Sequence, residues 1–195
     1  MNRLVWRTPE EQIAYHLADG RAVNFEESQG ARVAKGRELL ERALGALGRR
    51  AEIVELGCGA ADISGPFSTT NTVWGVDIVP AAQVACQERW PDLHFLLGDV
   101  NAITAWDVDV VVLTEVLEHL SDPLGLVARW LPHARYSIIG HPIDDPGNVE
   151  GGHVWGYDRD DYLYWFELGA HEPLEVYEFS MGPFPEMIIG AGRHK

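Results

Sequence analysis

The spacing of apolar and polar positions changes at Glu52. Upstream, the rhythm is helical. Thr8-Pro9-Glu10-Glu11 opens a helix with a capping hydroxyl, a proline in the first turn and acids at the positive end of the dipole. A second helix is predicted from about Ser28 to Leu47, where Val33, Leu39, Leu40, Ala43, Leu44 and Leu47 form one stripe and Gly45 and Gly48 weaken the end. From Glu52 onward short apolar runs alternate with helical stretches. Strands are predicted at residues 53–56, 73–77, 93–97, 108–113 and 136–139, with helices at 81–89 and 123–131 among the connections. Tyr162, Trp165, Phe166 and Gly169 return to helical spacing, and most of the aromatics around them are expected in the core. Two last strands, near 174–179 and 186–189, flank the turn signal Gly182-Pro183-Phe184-Pro185 with no helix between them. The pattern predicts an α/β chain: a doubly wound, mostly parallel seven-stranded sheet closed by a C-terminal antiparallel hairpin. In such a sheet, ligands bind beyond the carboxyl ends of the strands.

With 195 residues the chain suits one domain, of which residues 1–50 form a helical segment expected to contribute to an acceptor pocket and 51–195 the cofactor-binding body. Fifteen Lys and Arg against thirty Asp and Glu give a formal charge of −15, which argues against a general nucleic-acid coat or an anionic-membrane binder. The imbalance lies in the body, since residues 1–50 carry nine basic and seven acidic side chains. An accessory segment on a catalytic body and a solvated helical face both fit that asymmetry. Cys58 and Cys86 cannot form a disulfide framework, so a cytoplasmic location is expected. The first residues lack the apolar region of a signal peptide, and the longest apolar block is broken by Asp109 and Glu115, too charged for a membrane span.

The chemistry begins at the end of the first strand of the body. Gly57 and Gly59 let the backbone turn sharply and approach a ligand. A dinucleotide fingerprint would place a third glycine where Asp62 stands, and an acid beside a helix N-terminus would repel a pyrophosphate. A nucleoside without phosphates meets no such penalty. Asp77, ending the second strand, is suited to accept from both ribose hydroxyls, and Asp99, ending the third, from an adenine amino group.

On Glu55-x-Gly57-x-Gly59, Gly75-Val76-Asp77, Gly98-Asp99-Val100 and Asp109 to Leu120, the chain resembles the class I S-adenosylmethionine-dependent methyltransferases, from about Ile53 to Gly190. The resemblance implies their Rossmann-like fold and S-adenosyl-L-methionine as cofactor. It also implies a cofactor set of Glu55, Gly57, Cys58, Gly59, Ala61, Asp77, Ile78, Asp99, Val100, Thr114 and Glu115. Ala61 departs from the glycine the family often has there. A nicotinamide-dependent oxidoreductase, the competing class, is disfavoured by Asp62 and by the final strand pair.

Methyl transfer is an in-line displacement, and an oxygen acceptor must also lose its proton. If residues 114–119 are helical, Glu115, Glu118 and His119 share a face, and with His153 or His141 they make a candidate site for Mg2+ or Mn2+. Glu-x-x-Glu-His with a later histidine looks like the metal-dependent 2′-O-methyltransferases of small RNAs and the O-methyltransferases of quinone biosynthesis. Other members of the class carry the same residues without metal, with Glu118 capping or pairing and His119 a candidate base. The lack of Asn/Asp-Pro-Pro-Tyr/Phe after the fourth strand argues against methylation of DNA base amines. The expectation is O-methylation of a small-molecule acceptor. The alternatives are a metal-dependent enzyme acting on an RNA terminus and a catalytically silent cofactor-binding protein; an oligomer is left open. Both cysteines read as bland, as neither has a neighbour that would activate it.

Overall fold

The computed structural model describes residues 2–3, 8–19, 26–143, 153–181 and 184–195. Its elements are β1 (Asn2–Arg3), α1 (Pro9–Asp19), α2 (Glu26–Leu47), β2 (Glu52–Leu56), β3 (Thr72–Asp77), α3 (Pro80–Arg89), β4 (His94–Leu97), β5 (Val108–Thr114), α4 (Pro123–Trp130), β6 (Ala134–Pro142), β7 (Trp155–Gly156), α5 (Arg159–Leu168), β8 (His171–Met181) and β9 (Phe184–His194). Seven strands form one sheet in the order β4-β3-β2-β5-β6-β9-β8. The first five are parallel, and β9 runs antiparallel to both β6 and β8. Strand order reverses between β2 and β5, which places the switch point above Leu56 and Thr114.

The doubly wound sheet with its closing hairpin is as expected, and so are the five parallel strands. The closing pair is longer than its apolar runs suggest, because half-exposed antiparallel strands carry polar residues that hide their extent. The short pair β1–β7 was not anticipated. Two other expectations need correction. No α-helix follows the glycine turn: residues 57–71 are turns and one short 3-10 stretch, Gly65–Phe67, so the helix N-terminus invoked beside Asp62 is absent. Residues 115–119 are not an α-helix either. The tip of the predicted turn at Gly182-Pro183, Glu150-Gly151-Gly152 and most of the loop from 141 to 157 lie outside the described residues.

Both faces of the sheet are covered. Every residue of β5 is buried, and alternate side chains face opposite ways, as a central parallel strand requires. Val111 and Leu113 join an aromatic layer with Trp130, Tyr157, Tyr162, Trp165 and Phe166 from α4, α5 and the segment before it. Val110 and Val112 join a layer of smaller side chains with Val33, Leu39, Leu40 and Ala43 of α2, the stripe predicted for that helix. Thr8 and Glu11 exchange hydrogen bonds at the start of α1, each backbone N–H donating to the other's side chain at 2.8 and 3.2 Å. Asp158 and Asp161 cap α5 in the same way. Among the described residues no helix is long and apolar enough to cross a membrane.

Candidate active site

The turn after β2 is held from several sides. Gly57 and Gly59 have positive φ, 64° and 51°, where a side chain is strained. A Cβ on Gly57 would also lie 2.5 Å from Cγ2 of Val116, so the turn and the segment after β5 touch backbone to side chain. Cys58 N donates to the Val76 carbonyl at 3.0 Å, and Trp90 Nε1 to the Ala60 carbonyl at 2.9 Å. The two sulfurs, Cys58 Sγ and Cys86 Sγ, both approach the Gly59 carbonyl, at 3.5 and 3.2 Å. Burial, reinforced by Cys86, pushes the Cys58 thiol well up, so it is not a thiolate at neutral pH and reads as packing.

Asp77, the acid expected to meet a ribose, ends β3 and organises the turn. Its Oδ2 accepts from Gly59 N at 2.8 Å and its Oδ1 from Val79 N at 2.9 Å. Gly98 N donates to the Asp77 carbonyl at 2.8 Å, tying the end of β4 to the end of β3. Asp99 is half-buried and accepts from Asn101 N at 2.8 Å; Val100 is buried and Ile78 half-buried along the same edge. Gly57, Gly59, Asp77, Ile78, Asp99 and Val100 therefore line the carboxyl ends of three adjacent strands, as expected.

Glu55 and Asp62 both hold the loop beyond the turn. Glu55 is buried and accepts from both the backbone N and the hydroxyl of Ser64, which anchors the loop beyond the turn. Burial raises its pKa from an ordinary 4.5 to about 7, against the pull of Ser64 and Arg32. Asp62 pairs with Arg89 at 2.7 Å, while its carbonyl accepts from Arg37 Nε at 2.6 Å. Ala61 is fully buried at φ 53°, so it occupies the left-handed conformation that glycine would take there. Thr114, also buried, accepts from Arg32 NH1 at 2.7 Å. Sequence reasoning missed Arg32, although a charge stood on the apolar face of α2, one helical turn from Gly36 and two from Leu39.

Beyond β5 the helical face fails. Glu115 has φ 57°, which breaks any helix at its start, and only Leu117–His119 coil into a 3-10 turn. Glu115 is thereby separated from the cluster that does form among the described residues: Glu118, His119 and His153, whose ligand atoms lie within 4.8 Å of one another. Glu118 is 1% exposed, and its Oε1 lies 3.9 Å from His119 Nε2. The His119 and His153 rings are 4.6 Å apart, edge to face. Three hydrogen bonds lace the His153 segment to this turn: Val154 N to the Glu118 carbonyl at 2.8 Å, Trp155 Nε1 to the Leu120 carbonyl at 2.7 Å, and Tyr157 hydroxyl to the Leu117 carbonyl at 2.8 Å. Burial, then Glu118, pushes the Tyr157 phenol upward, so it stays protonated.

His141 does not join them. It is fully buried, its Nδ1 donates to the Pro142 carbonyl at 2.8 Å, and its ring packs on Tyr157 and Tyr162. Burial lowers its pKa to about 4. The arrangement thus offers an edge with acids at 77 and 99, and beside it a carboxylate with two imidazoles able to hold a proton or a cation.

Residues 53–133 match the family model described as a methyltransferase domain. No curated protein sequence matches the chain. Solved structures of similar fold include the 1,6-didemethyltoxoflavin-N1-methyltransferase of Burkholderia thailandensis, with 1,6-didemethyltoxoflavin and S-adenosylhomocysteine bound. It is 15% identical with a TM-score of 0.73, over 98% of this chain and 92% of that one. Magnesium protoporphyrin IX methyltransferase (ChlM) of Synechocystis PCC 6803, with SAM bound, is 16% identical with a TM-score of 0.72, over 98% and 100% of the two chains. N-methyltransferase NodS of Bradyrhizobium japonicum WM9, in complex with S-adenosylhomocysteine, is 19% identical with a TM-score of 0.67, over 95% of each. At these identities the likeness is one of fold. The chain has the Rossmann-like fold of the class I S-adenosylmethionine-dependent methyltransferases, and the methyltransferase-domain match covers residues 53–133 of it.

Proposed function

We propose that this methyltransferase acts on a hydroxyl oxygen of a small-molecule acceptor. The observation that carries the reading is the convergence of Glu118, His119 and His153 beside the switch point. Asp77 takes the ribose hydroxyls, Asp99 and Val100 the adenine, and the turn at 57–59 the methionine part. Arg32, the buried guanidinium at this end of the sheet, lies near enough to Glu55 and Thr114 to meet the methionine carboxylate. The acceptor oxygen attacks the methyl carbon, the carbon–sulfur bond breaks, S-adenosylhomocysteine leaves, and the hydroxyl proton passes to His119, whose Nε2 lies 3.9 Å from Glu118 Oε1. Residues 1–50 complete the acceptor pocket, because the body carries no large insertion that could do so.

A second reading is favoured by the same cluster. One carboxylate and two imidazoles make a donor set for a divalent transition metal such as Mn2+, and a poor one for Mg2+, which prefers oxygen ligands. A metal held by Glu118, His119 and His153 would lower the pKa of an acceptor hydroxyl. An RNA acceptor fits less well, since the body carries twenty-three acids against six basic residues.

The test is release of S-adenosylhomocysteine across a panel of phenols, catechols, hydroxy acids and amines, with and without chelator. Turnover on a hydroxyl acceptor should fall by about a hundredfold or more in His119→Gln, with calorimetric cofactor affinity unchanged. Turnover confined to amines and indifferent to His119→Gln would overturn the oxygen assignment. Cofactor binding without turnover on any acceptor would mark a silent binder, and loss of turnover in chelator, restored by Mn2+, would establish the metal.

A further inference from the structure

At the opposite end of the sheet, far from the glycine turn, three arginines meet from three separate elements. Arg49 follows α2, Arg135 lies near the start of β6, and Arg193 near the end of β9. With Leu47, Tyr136 and His194 they line a surface cavity of about 400 Å3, within the range of small-ligand sites. Two carboxylates answer them. Asp109 holds Arg49 through both oxygens, at 2.5 and 3.0 Å, and approaches Arg135 Nε at 3.5 Å. Glu172 pairs with Arg193. Three guanidiniums against two carboxylates leave one positive charge, concentrated in a concavity of a chain whose formal charge is −15.

The arginines differ in how much they have left to give. Arg49 is committed to Asp109 and to the Arg50 carbonyl. Arg135 is 68% exposed and makes no hydrogen bond among the described residues beyond its long contact with Asp109. Arg193 engages Glu172 through one terminal nitrogen and is 54% exposed. A guanidinium carries five donors in a rigid fork, so Arg135 and Arg193 retain donors on two sides of one cavity. A planar carboxylate satisfies one fork. A phosphate monoester, with three terminal oxygens and a charge near −2, accepts from forks in different directions. Leu47 and the Tyr136 ring supply apolar surface for an organic body.

We propose that this cavity is a second binding site, for a small phosphate monoester, separate from the methyl-transfer crevice. The dianion sits between Arg135 and Arg193, and its organic group lies against Leu47 and Tyr136. Phenyl phosphate is the probe, with benzoate as a monoanion carrying the same ring, each titrated by calorimetry and by the amide shifts of residues lining the cavity.

Phenyl phosphate should bind one per chain and benzoate at least about tenfold more weakly. Arg135→Glu should weaken phenyl phosphate by about tenfold or more, and because this side chain is exposed the variant should keep its melting temperature. Glu172→Gln should act the other way, strengthening binding several-fold by releasing Arg193. Absence of saturable binding would overturn the site, as would an affinity that Arg135→Glu leaves unchanged. Equal binding of benzoate would overturn the monoester.

Discussion

The two ends of the parallel strands handle polar groups by opposite means. At the carboxyl ends, Glu55, Asp77, Thr114, Glu118 and His141 are all buried; Glu55 and Asp77 accept from backbone N–H groups, His141 donates to a backbone carbonyl, and Thr114 accepts from Arg32. At the amino ends, arginines exposed by half or more pair charge to charge with the buried Asp109 and the exposed Glu172. Buried polar groups held by backbone are pre-aimed and costly to disturb; exposed ion pairs are cheap, salt-screened and individually weak. The difference teaches where chemistry belongs. Electrostatic work needs low dielectric and fixed geometry, which suits the first end to the methyl transfer proposed there. The second end can offer a bound anion donors without reorganising the core.

Glycines provide the largest contrast. Gly57, at the carboxyl end, and Gly48, at the amino end, have almost the same φ, 64° and 63°. A Cβ on Gly48 meets nothing within 4 Å, whereas one on Gly57 strikes Val116. Gly48→Ala should therefore cost only the left-handed strain, about 1 kcal/mol. Gly57→Ala adds overpacking and should cost about 3 kcal/mol in urea denaturation, together with most of the cofactor affinity. Pairing it with Val116→Ala should recover part of that stability. Equal costs at the two glycines would break the comparison, because packing around the turn would then carry no weight.

How much of this was legible follows from which signals are local. Parallel strands buried on both faces read as unbroken apolar runs, so β2, β3 and β5 stood out, and each acid ending a strand came with them. The turn was legible because Gly57 and Gly59 announce positive φ. Glu115 was not: nothing in its side chain signals a left-handed backbone, so helical spacing was carried across a break. The sequence groups Glu118 and His119 with His153 on a resemblance, since their meeting depends on three hydrogen bonds spanning the chain, and the meeting of Arg49, Arg135 and Arg193 depends on sheet register. Neither leaves a pattern in a window of residues. Arg32 left one, a charge on an apolar stripe, and it went unread.

Acid and base titration sharpens the contrast next. Glu55 has its pKa raised from 4.5 to about 7 by burial, so its contribution to stability is full below pH 4.5 and is lost as pH rises through 7. His141 is lowered from 6.5 to about 4, so its contribution is full above pH 6.5 and is lost as pH falls toward 4. Each is worth up to about 3 kcal/mol, and between pH 4.5 and 6.5 their slopes oppose. Glu55→Gln should therefore gain stability on wild type as pH rises from 5 to 7.5. His141→Gln should gain on wild type as pH falls from 6.5 to 4.5. Chemical denaturation across that range reads both. If the two differences ran in the same direction, the burial assigned to one of the groups would be wrong.

The smallest effect concerns Ala61, fully buried at φ 53°. Replacing it with glycine relieves left-handed strain of about 1–2 kcal/mol. Against that stand the lost burial of a methyl, about 0.8 kcal/mol, and the extra freedom of a glycine in the unfolded chain, about 0.4–1 kcal/mol. The terms nearly cancel, which is why alanine is tolerated at a position whose backbone suits glycine. Ala61→Gly should shift the denaturation midpoint by less than about 1 kcal/mol while leaving cofactor affinity within about twofold. Its contrast with Gly57→Ala, four residues away in the same turn, isolates the cause. Both substitutions change one methyl at a positive φ, and at Gly57 that methyl strikes Val116. A large effect at Ala61 would mean that backbone strain alone, and not contact across the switch point, sets the geometry of the cradle.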